Sequence, residues 1–286
     1  MSYNTDNYCI IEKSYNTSYL EALITALFSN SHFDNLLSDI PDKIEFIYLQ
    51  ELIIKKFINN IRKFYSVEST IINEIRNYSV ICGWNNDENF ADLCKVSDYY
   101  KFFIDSIGKG HLKYEECCND VYETRQLAYI DLTKEVNFSK ENSIRTLFDS
   151  WIANHLRQST DYNDIKLKYT LLDEDPFILV FNIDRSKFSK NIEIDIMQKV
   201  KIDEYVFSQN YNFSWKINSI ICYSQTKQIY YSIVNKDDKY WYLYDSSLKP
   251  SIIKYTKLEN ESLIAERIRK ESVFFIYKLE NIIIPY

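Results

Sequence analysis

Three short stretches decide how this chain reads: Ile217-Asn-Ser-Ile-Ile-Cys-Tyr-Ser224, Gln228-Ile-Tyr-Tyr-Ser-Ile-Val234 and Tyr240-Trp-Tyr-Leu-Tyr-Asp-Ser246. β-Branched and aromatic side chains dominate each of them, and polar residues separate them, which is the pattern of neighbouring strands. Asn235-Lys-Asp-Asp-Lys239 reads as a polar hairpin loop joining the last two. Upstream, Phe177 to Phe181 is a wholly apolar run after Pro176, as expected of a strand buried on both faces. Ile192 to Ile196 alternates isoleucine with acidic residues, and Ser272 to Lys278 reads as a final strand.

The first half has a different period. Leu20, Leu23, Ile24, Leu27 and Phe28 follow helical spacing, so Ser18 to Asn30 is a predicted helix with Asn16 or Thr17 as its cap. Pro41 precedes a longer one, Asp42 to Phe64, with a wide apolar face through Phe46, Leu49, Ile53, Phe57 and Ile61. Val67 to Tyr78, Asp98 to Ile107 (stopped by Gly108 and Gly110) and Ser143 to Leu156 complete the set. Residues 1–160 are thus expected to be mostly helical and 170–286 mostly strand. The predicted class is α+β, a helical subdomain of about 10–160 packed on a mostly antiparallel sheet of about 170–286, within one domain over 1–286.

Composition narrows the function classes. The chain has 286 residues and a net charge of -7 with acids and bases interspersed, so no basic stripe points to nucleic acid. No apolar run is long enough to cross a bilayer, and Met1-Ser-Tyr-Asn-Thr-Asp-Asn lacks the basic and apolar regions of a signal peptide. The expectation is a soluble, intracellular protein with no membrane partner. Gly (3) and Pro (4) are scarce, so turns must be built from Asn, Asp, Ser and Lys. The six cysteines form no Cys-x-x-Cys pair, which gives no support to a zinc ribbon or other metal site, and no cofactor is expected. Adjacent Cys117 and Cys118 are read as reduced thiols.

Four segments, taken in order, resemble the sequence boxes of the ubiquitin-specific proteases. Asn16-Thr17-Ser18-Tyr19-Leu20, running into Leu27-Phe28, is similar to the family's cysteine box, Asn-Thr-Cys-Tyr-Leu at the start of a helix. A thiolate there gains from the unpaired N–H groups and the positive end of the helix dipole. Ser97-Asp98 to Asp105 resembles the Gln-Asp-Ala-Gln-Glu-Phe-Leu box through Asp98 and Phe102. Asp175-Pro176 to Arg185, with Ile192 to Ile196, resembles the Pro-x-x-Leu…Leu-x-Arg-Phe strand and its neighbour. The stretches quoted first resemble the histidine box through Tyr230, Val234, Trp241, Tyr244 and Asp245. The likeness covers roughly residues 10 to 280 and implies a papain-like fold without the family's zinc-ribbon fingers.

The departures fall on the chemistry. Ser18 stands where the family has its cysteine, Ile229 where it has its histidine and Gln228 where it has the preceding glycine. An isoleucine cannot accept a proton, so general-base catalysis from that position is lost, and Asp245 matches an acid with no imidazole to orient. The oxyanion-stabilising asparagine corresponds to Lys13, and a nearby glycine to Tyr15. The chain's histidines are His32, His111 and His155.

The resemblance implies an inactive homologue that binds ubiquitin or a ubiquitin-like protein, or serves as a scaffold. Its binding groove would be lined by Asn16, Thr17, Tyr19, Tyr230 and Trp241. Two other readings stand beside it. One is a ubiquitin C-terminal hydrolase using Ser18 with a migrated histidine. The other is a structural or interaction protein with no ubiquitin link: composition and the degenerate protease pattern together resemble proteins of large DNA viruses, a resemblance that implies host cytoplasm or virion.

Overall fold

The structure is a computed structural model that describes residues 11–14, 16–41, 43–85, 95–118, 121–156, 168–171, 177–188, 192–202, 212–236, 240–255 and 263–283. Tyr15, Cys9, Cys94, Asp175, Pro176, the tip of the 235–239 loop and the His155 side chain lie outside the described residues. In chain order the helices are α1 (Ser18–Phe28), α2 (Ile44–Leu52), α3 (Asn59–Arg62), α4 (Ser69–Ile81) and α5 (Val96–Ile107). There follow β1 (Leu112–Cys118), β2 (Val121–Leu127), β3 (Ile130–Asp131), β4 (Asn142–Ser143), α6 (Ile144–Leu156), β5 (Lys168–Leu171) and β6 (Ile178–Asn182). The chain ends with β7 (Ile194–Asp195), β8 (Lys199–Ile202), β9 (Asn212–Ser224), β10 (Ile229–Lys236), β11 (Tyr240–Tyr244), β12 (Ile252–Tyr255), α7 (Leu263–Glu271) and β13 (Ser272–Ile283). The class is α+β and the sheet mostly antiparallel; among the described strands, β3 pairs parallel with β6 and β4 with β7. No described helix is long and apolar enough to cross a membrane.

The chain forms two compact units, Met1–Lys109 with Asn218–Phe274, and Gly110–Ile217 with Phe275–Tyr286. The first holds α1 to α5 and α7, and strands in the order β12-β11-β10-β9. Tyr230 lies opposite Tyr223, and Ser232 pairs with both Ile221 and Tyr244, which fixes which side chains share a face. At the centre, every residue of α1 is buried, and the helix packs on β10, α5 and α4. A helix with no solvent face must also satisfy its polar ends without water. At its C-terminal end the Ser219 hydroxyl donates to the Ala26 carbonyl (2.8 Å) and the Asn218 amide to the same oxygen (3.3 Å). Asn218 also accepts from the Asn30 amide at 2.9 Å, and Arg62 Nε donates to the Phe28 carbonyl at 2.8 Å. Strand and helix are thereby stitched where α1 stops.

The predicted Asp42–Phe64 helix is present from Ile44 to Arg62, but its middle, Ile53–Ile58, is π-helical. Leu49, Ile53, Phe57 and Ile61 are all buried at intervals of four. An α-helix turns a side chain by about 40° over four residues, so the wider π turn keeps this stripe facing the core. Helix α5 ends at Gly108 with φ of +68°, a left-handed cap that glycine adopts without strain. Its Tyr99 and Tyr100 are fully buried, Tyr99 edge-on to Tyr19 and Trp84, Tyr100 edge-on to Phe274.

The second unit adds strands within the first half that the sequence analysis did not place. Residues 112–127 form the antiparallel pair β1–β2, to which β5 adds. Polar residues on both faces gave this hairpin no apolar period to read. Strands β13, β6 and β3 lie side by side, with Phe181 packed between Phe148 (4.9 Å) and Tyr277 (5.6 Å).

Asn218→Ala strips a partner from both Asn30 and the Ala26 carbonyl inside a dry interface. We expect a loss of about 1–3 kcal/mol, read in urea unfolding as a lower midpoint at unchanged m value.

Candidate functional site

The site begins where the chain enters α1. Glu12 N–H donates to the Val67 carbonyl (3.0 Å), anchoring the approach. Asn16 then adopts φ of +53°, a left-handed conformation that asparagine tolerates better than most residues. Thr17 precedes the helix; its carbonyl accepts from Leu20 N–H and Glu21 N–H, but its hydroxyl donates forward to Glu21 Oε1 at 2.6 Å instead of capping the first turn. Glu21 is 5% exposed, and burial pushes its carboxyl above the ordinary glutamate range. Hydrogen bonds from the Thr17 and Ser246 side chains and the Ser14 backbone oppose that rise, as does the charge of Lys13. One carboxyl therefore ties the first turn of α1 to the segment before it and to the turn after β11.

Opposite stands the turn into β10. Gln228 has φ of +52°, in the region where glycine is most at ease, and it is exposed. It delivers Ile229 and Tyr230 against α1. Tyr230 N–H donates to Ser18 Oγ at 3.0 Å across 212 residues of sequence. Ser18, Ile229 and Tyr230 are all less than a tenth exposed, and the Tyr230 ring lies 4.9 Å from that of Tyr223.

Asp245 follows β11 and is 1% exposed. Its Oδ1 accepts from Ser247 N–H (2.9 Å) and from the Ser247 hydroxyl (2.5 Å), a short Asx turn. Its Oδ2 is buried and has no hydrogen-bond partner. Lys227 Nζ at 3.9 Å and an Arg267 guanidinium nitrogen at 3.8 Å supply positive charge beyond bonding length. Arg267 is held over the Tyr231 ring (4.1 Å) and bonded to Glu271, which also accepts from Tyr231. A buried carboxylate with one unsatisfied oxygen is costly unless charge lies close, and these two cations lower that cost.

Ser18 and Tyr230 are thus brought together; Lys13 and Asn16 flank the helix start, Lys13 exposed and Asn16 half-buried. Thr17 and Tyr19 are fully buried, Tyr19 turned into the aromatic cluster with Tyr99, and Trp241 is 7% exposed. His32 is the sole histidine within the first unit's sequence, and it lies beyond the far end of α1, roughly 16 Å of helix from Ser18. The sequence reading had not singled out Glu21, Ser246 or Arg267. A glutamate in the first turn of a helix is a readable signal; the contacts of Ser246 and Arg267 are long-range and leave no local mark.

No family model and no curated protein matches this chain. Solved structures do. The SAGA DUB module Ubp8/Sgf11/Sus1/Sgf73 bound to monoubiquitin aligns with a TM-score of 0.63 at 14% identity, over 97% of this chain and 70% of that one. The same module bound to ubiquitin aldehyde gives 0.63 at 13% identity, with the same coverage. The yeast SAGA DUBm carrying a mutant Sgf73 gives 0.62 at 12% identity, again over 97% and 70%. The fold is therefore ubiquitin-specific-protease-like.

Two outcomes follow from the local geometry. Gln228→Gly should raise stability by about 0.5–1 kcal/mol, since it relieves a left-handed side chain, and Gln228→Val should lower it by about 1–2 kcal/mol; thermal melts of the pair check this. Because Glu21 binds its proton more tightly folded than unfolded, its contribution is complete below the ordinary carboxylate pKa and fades as pH rises through the raised value. Glu21→Gln should flatten that part of the stability–pH curve, above the ordinary carboxylate range, measured by urea unfolding across pH.

Proposed function

We propose that this chain is a non-hydrolytic homologue of the ubiquitin-specific proteases, a single domain that presents a face to ubiquitin or a ubiquitin-like protein. One observation carries the loss of chemistry: Ser18 Oγ accepts the Tyr230 N–H, and the residue beside that amide is Ile229. Hydrolysis would need a base to take the serine proton, and a hydroxyl is a poor nucleophile without one. Aliphatic Ile229 offers no lone pair, and Asp245 Oδ2, which would orient an imidazole, is left without a donor. Lys13, in the oxyanion-equivalent place, could polarise a carbonyl but cannot replace the base.

Support for the partner comes from the fold and from the solved neighbours, two of which hold ubiquitin or ubiquitin aldehyde. Burial of Thr17, Tyr19, Tyr230 and Trp241 leaves Asn16 and Lys13 as the groups a partner's tail would meet first. Recognition in this reading is surface docking, with the tail held beside the α1–β10 clamp instead of threaded through it.

Two assays on the full chain test the proposal. A ubiquitin carrying a C-terminal electrophile should leave the chain unmodified, and fluorophore release from the ubiquitin C-terminus should stay at the buffer rate. Labelled ubiquitin should nevertheless bind saturably. Turnover that Ser18→Ala abolishes would establish a rearranged hydrolase instead, and absence of binding at high micromolar ubiquitin would leave the fold as a scaffold with another partner.

A further inference from the structure

The second unit holds a groove of about 500 Å³ between the connection from β3 to β4 and the segment that carries β7. That volume is in the range of sites that enclose a small ligand or a large side chain. One residue sets its shape. Asn142 is buried; its amide donates to the carbonyls of Asn137 (2.8 Å) and Lys140 (3.1 Å), and its Oδ1 accepts the Asn137 N–H (2.8 Å). The loop 137–142 is thus closed on itself before any partner arrives. Parallel pairing of β4 with β7 sets Ser143 beside Asp195, so the acid is fixed next to the loop. Phe138, in the turn of that loop, meets Phe188 edge-on at 5.8 Å, yet it is 60% exposed, and most of a large apolar ring is left in water.

Three acids line the groove, Glu141, Glu193 and Asp195, against one base, Lys140, and all four are exposed. Glu141 and Asp195 take part in no ion pair among the described residues. By contrast Glu51, Asp105, Asp149 and Glu266 each hold a lysine or arginine four residues away. Among the described residues no group of three acidic, histidine or cysteine side chains is placed to hold a metal ion, so the lining suits an organic cation. A guanidinium matches both parts of it. Its flat face lies on an aromatic ring, and its fork of N–H groups donates to carboxylates. An ammonium is compact and strongly hydrated, and gains less from the ring. The net charge of -7 favours a cationic partner and opposes a polyphosphate.

We propose that this groove docks an arginine-bearing segment of a partner protein, the guanidinium lying on Phe138 and pairing with Asp195 or Glu141. The contact requires neither hydrolysis nor ubiquitin. Fluorescence anisotropy on the full chain with a labelled Arg-Ser repeat decapeptide tests it. The peptide should bind, and added NaCl should weaken binding. Glu141→Gln combined with Asp195→Asn should cost roughly tenfold in affinity, about threefold for each exposed charge. Phe138→Ala should cost about threefold. These side chains are exposed, so the variants should melt at the parent temperature. Glu45→Gln combined with Glu68→Gln removes the same charge from the first unit and should leave affinity within about twofold of the parent. A Lys-Ser repeat should bind more weakly than the arginine peptide. The proposal is overturned if the peptide does not bind, if the groove variants bind it as well as the parent, if the Glu45 and Glu68 changes cost as much, or if a Lys-Ser or citrulline-Ser repeat binds equally well.

Discussion

A helix buried along its whole length is the constraint on which the first unit depends. Apolar packing explains the middle of α1, but its ends bring polar groups into a region water does not reach, and each must find a partner or lose stability. The C-terminal carbonyls find Ser219, Asn218 and Arg62. At the N-terminal end the Ser18 hydroxyl meets the Tyr230 amide, and Glu21 gathers Thr17, Ser14 and Ser246. These bonds set α1 against β10, and the placement of Ile229, the Gln228 turn and Asp245 follows from them.

The same bonds engage the polar groups around the start of α1. Ser18 stands at the start of the helix, and its oxygen serves as an acceptor for a strand amide. Asp245 is buried after β11, with Arg267 and Lys227 nitrogens 3.8 and 3.9 Å from its Oδ2. Arg267 is itself held by Tyr231 and Glu271, so the counter-charge is part of a fixed network linking α7 to β10.

Much of this unit was legible because its signals are local. The spacing of Leu20, Leu23, Ile24, Leu27 and Phe28 announced α1, and the aromatic, β-branched runs announced β9, β10 and β11. Gln228, set by the resemblance against a glycine, takes a left-handed conformation. Other features had no local trace. The π-helical stretch of Ile53–Ile58 depends on what the stripe must face, the β1–β2 hairpin has polar residues on both sides, and α7 buries only Ala265 and Ile268. The convergence of Glu21 with Ser246, and of Asp245 with Arg267, joins residues far apart in sequence and becomes visible only in the folded chain.

Amide hydrogen exchange at Tyr230, followed by NMR in the parent and in Ser18→Ala, tests most directly whether the serine oxygen is engaged as an acceptor. A protected amide in the parent that exchanges about tenfold faster in the variant, the equivalent of roughly 1.4 kcal/mol, is the predicted result. An amide that exchanges rapidly and equally in both proteins would contradict it and leave Ser18 free for another role.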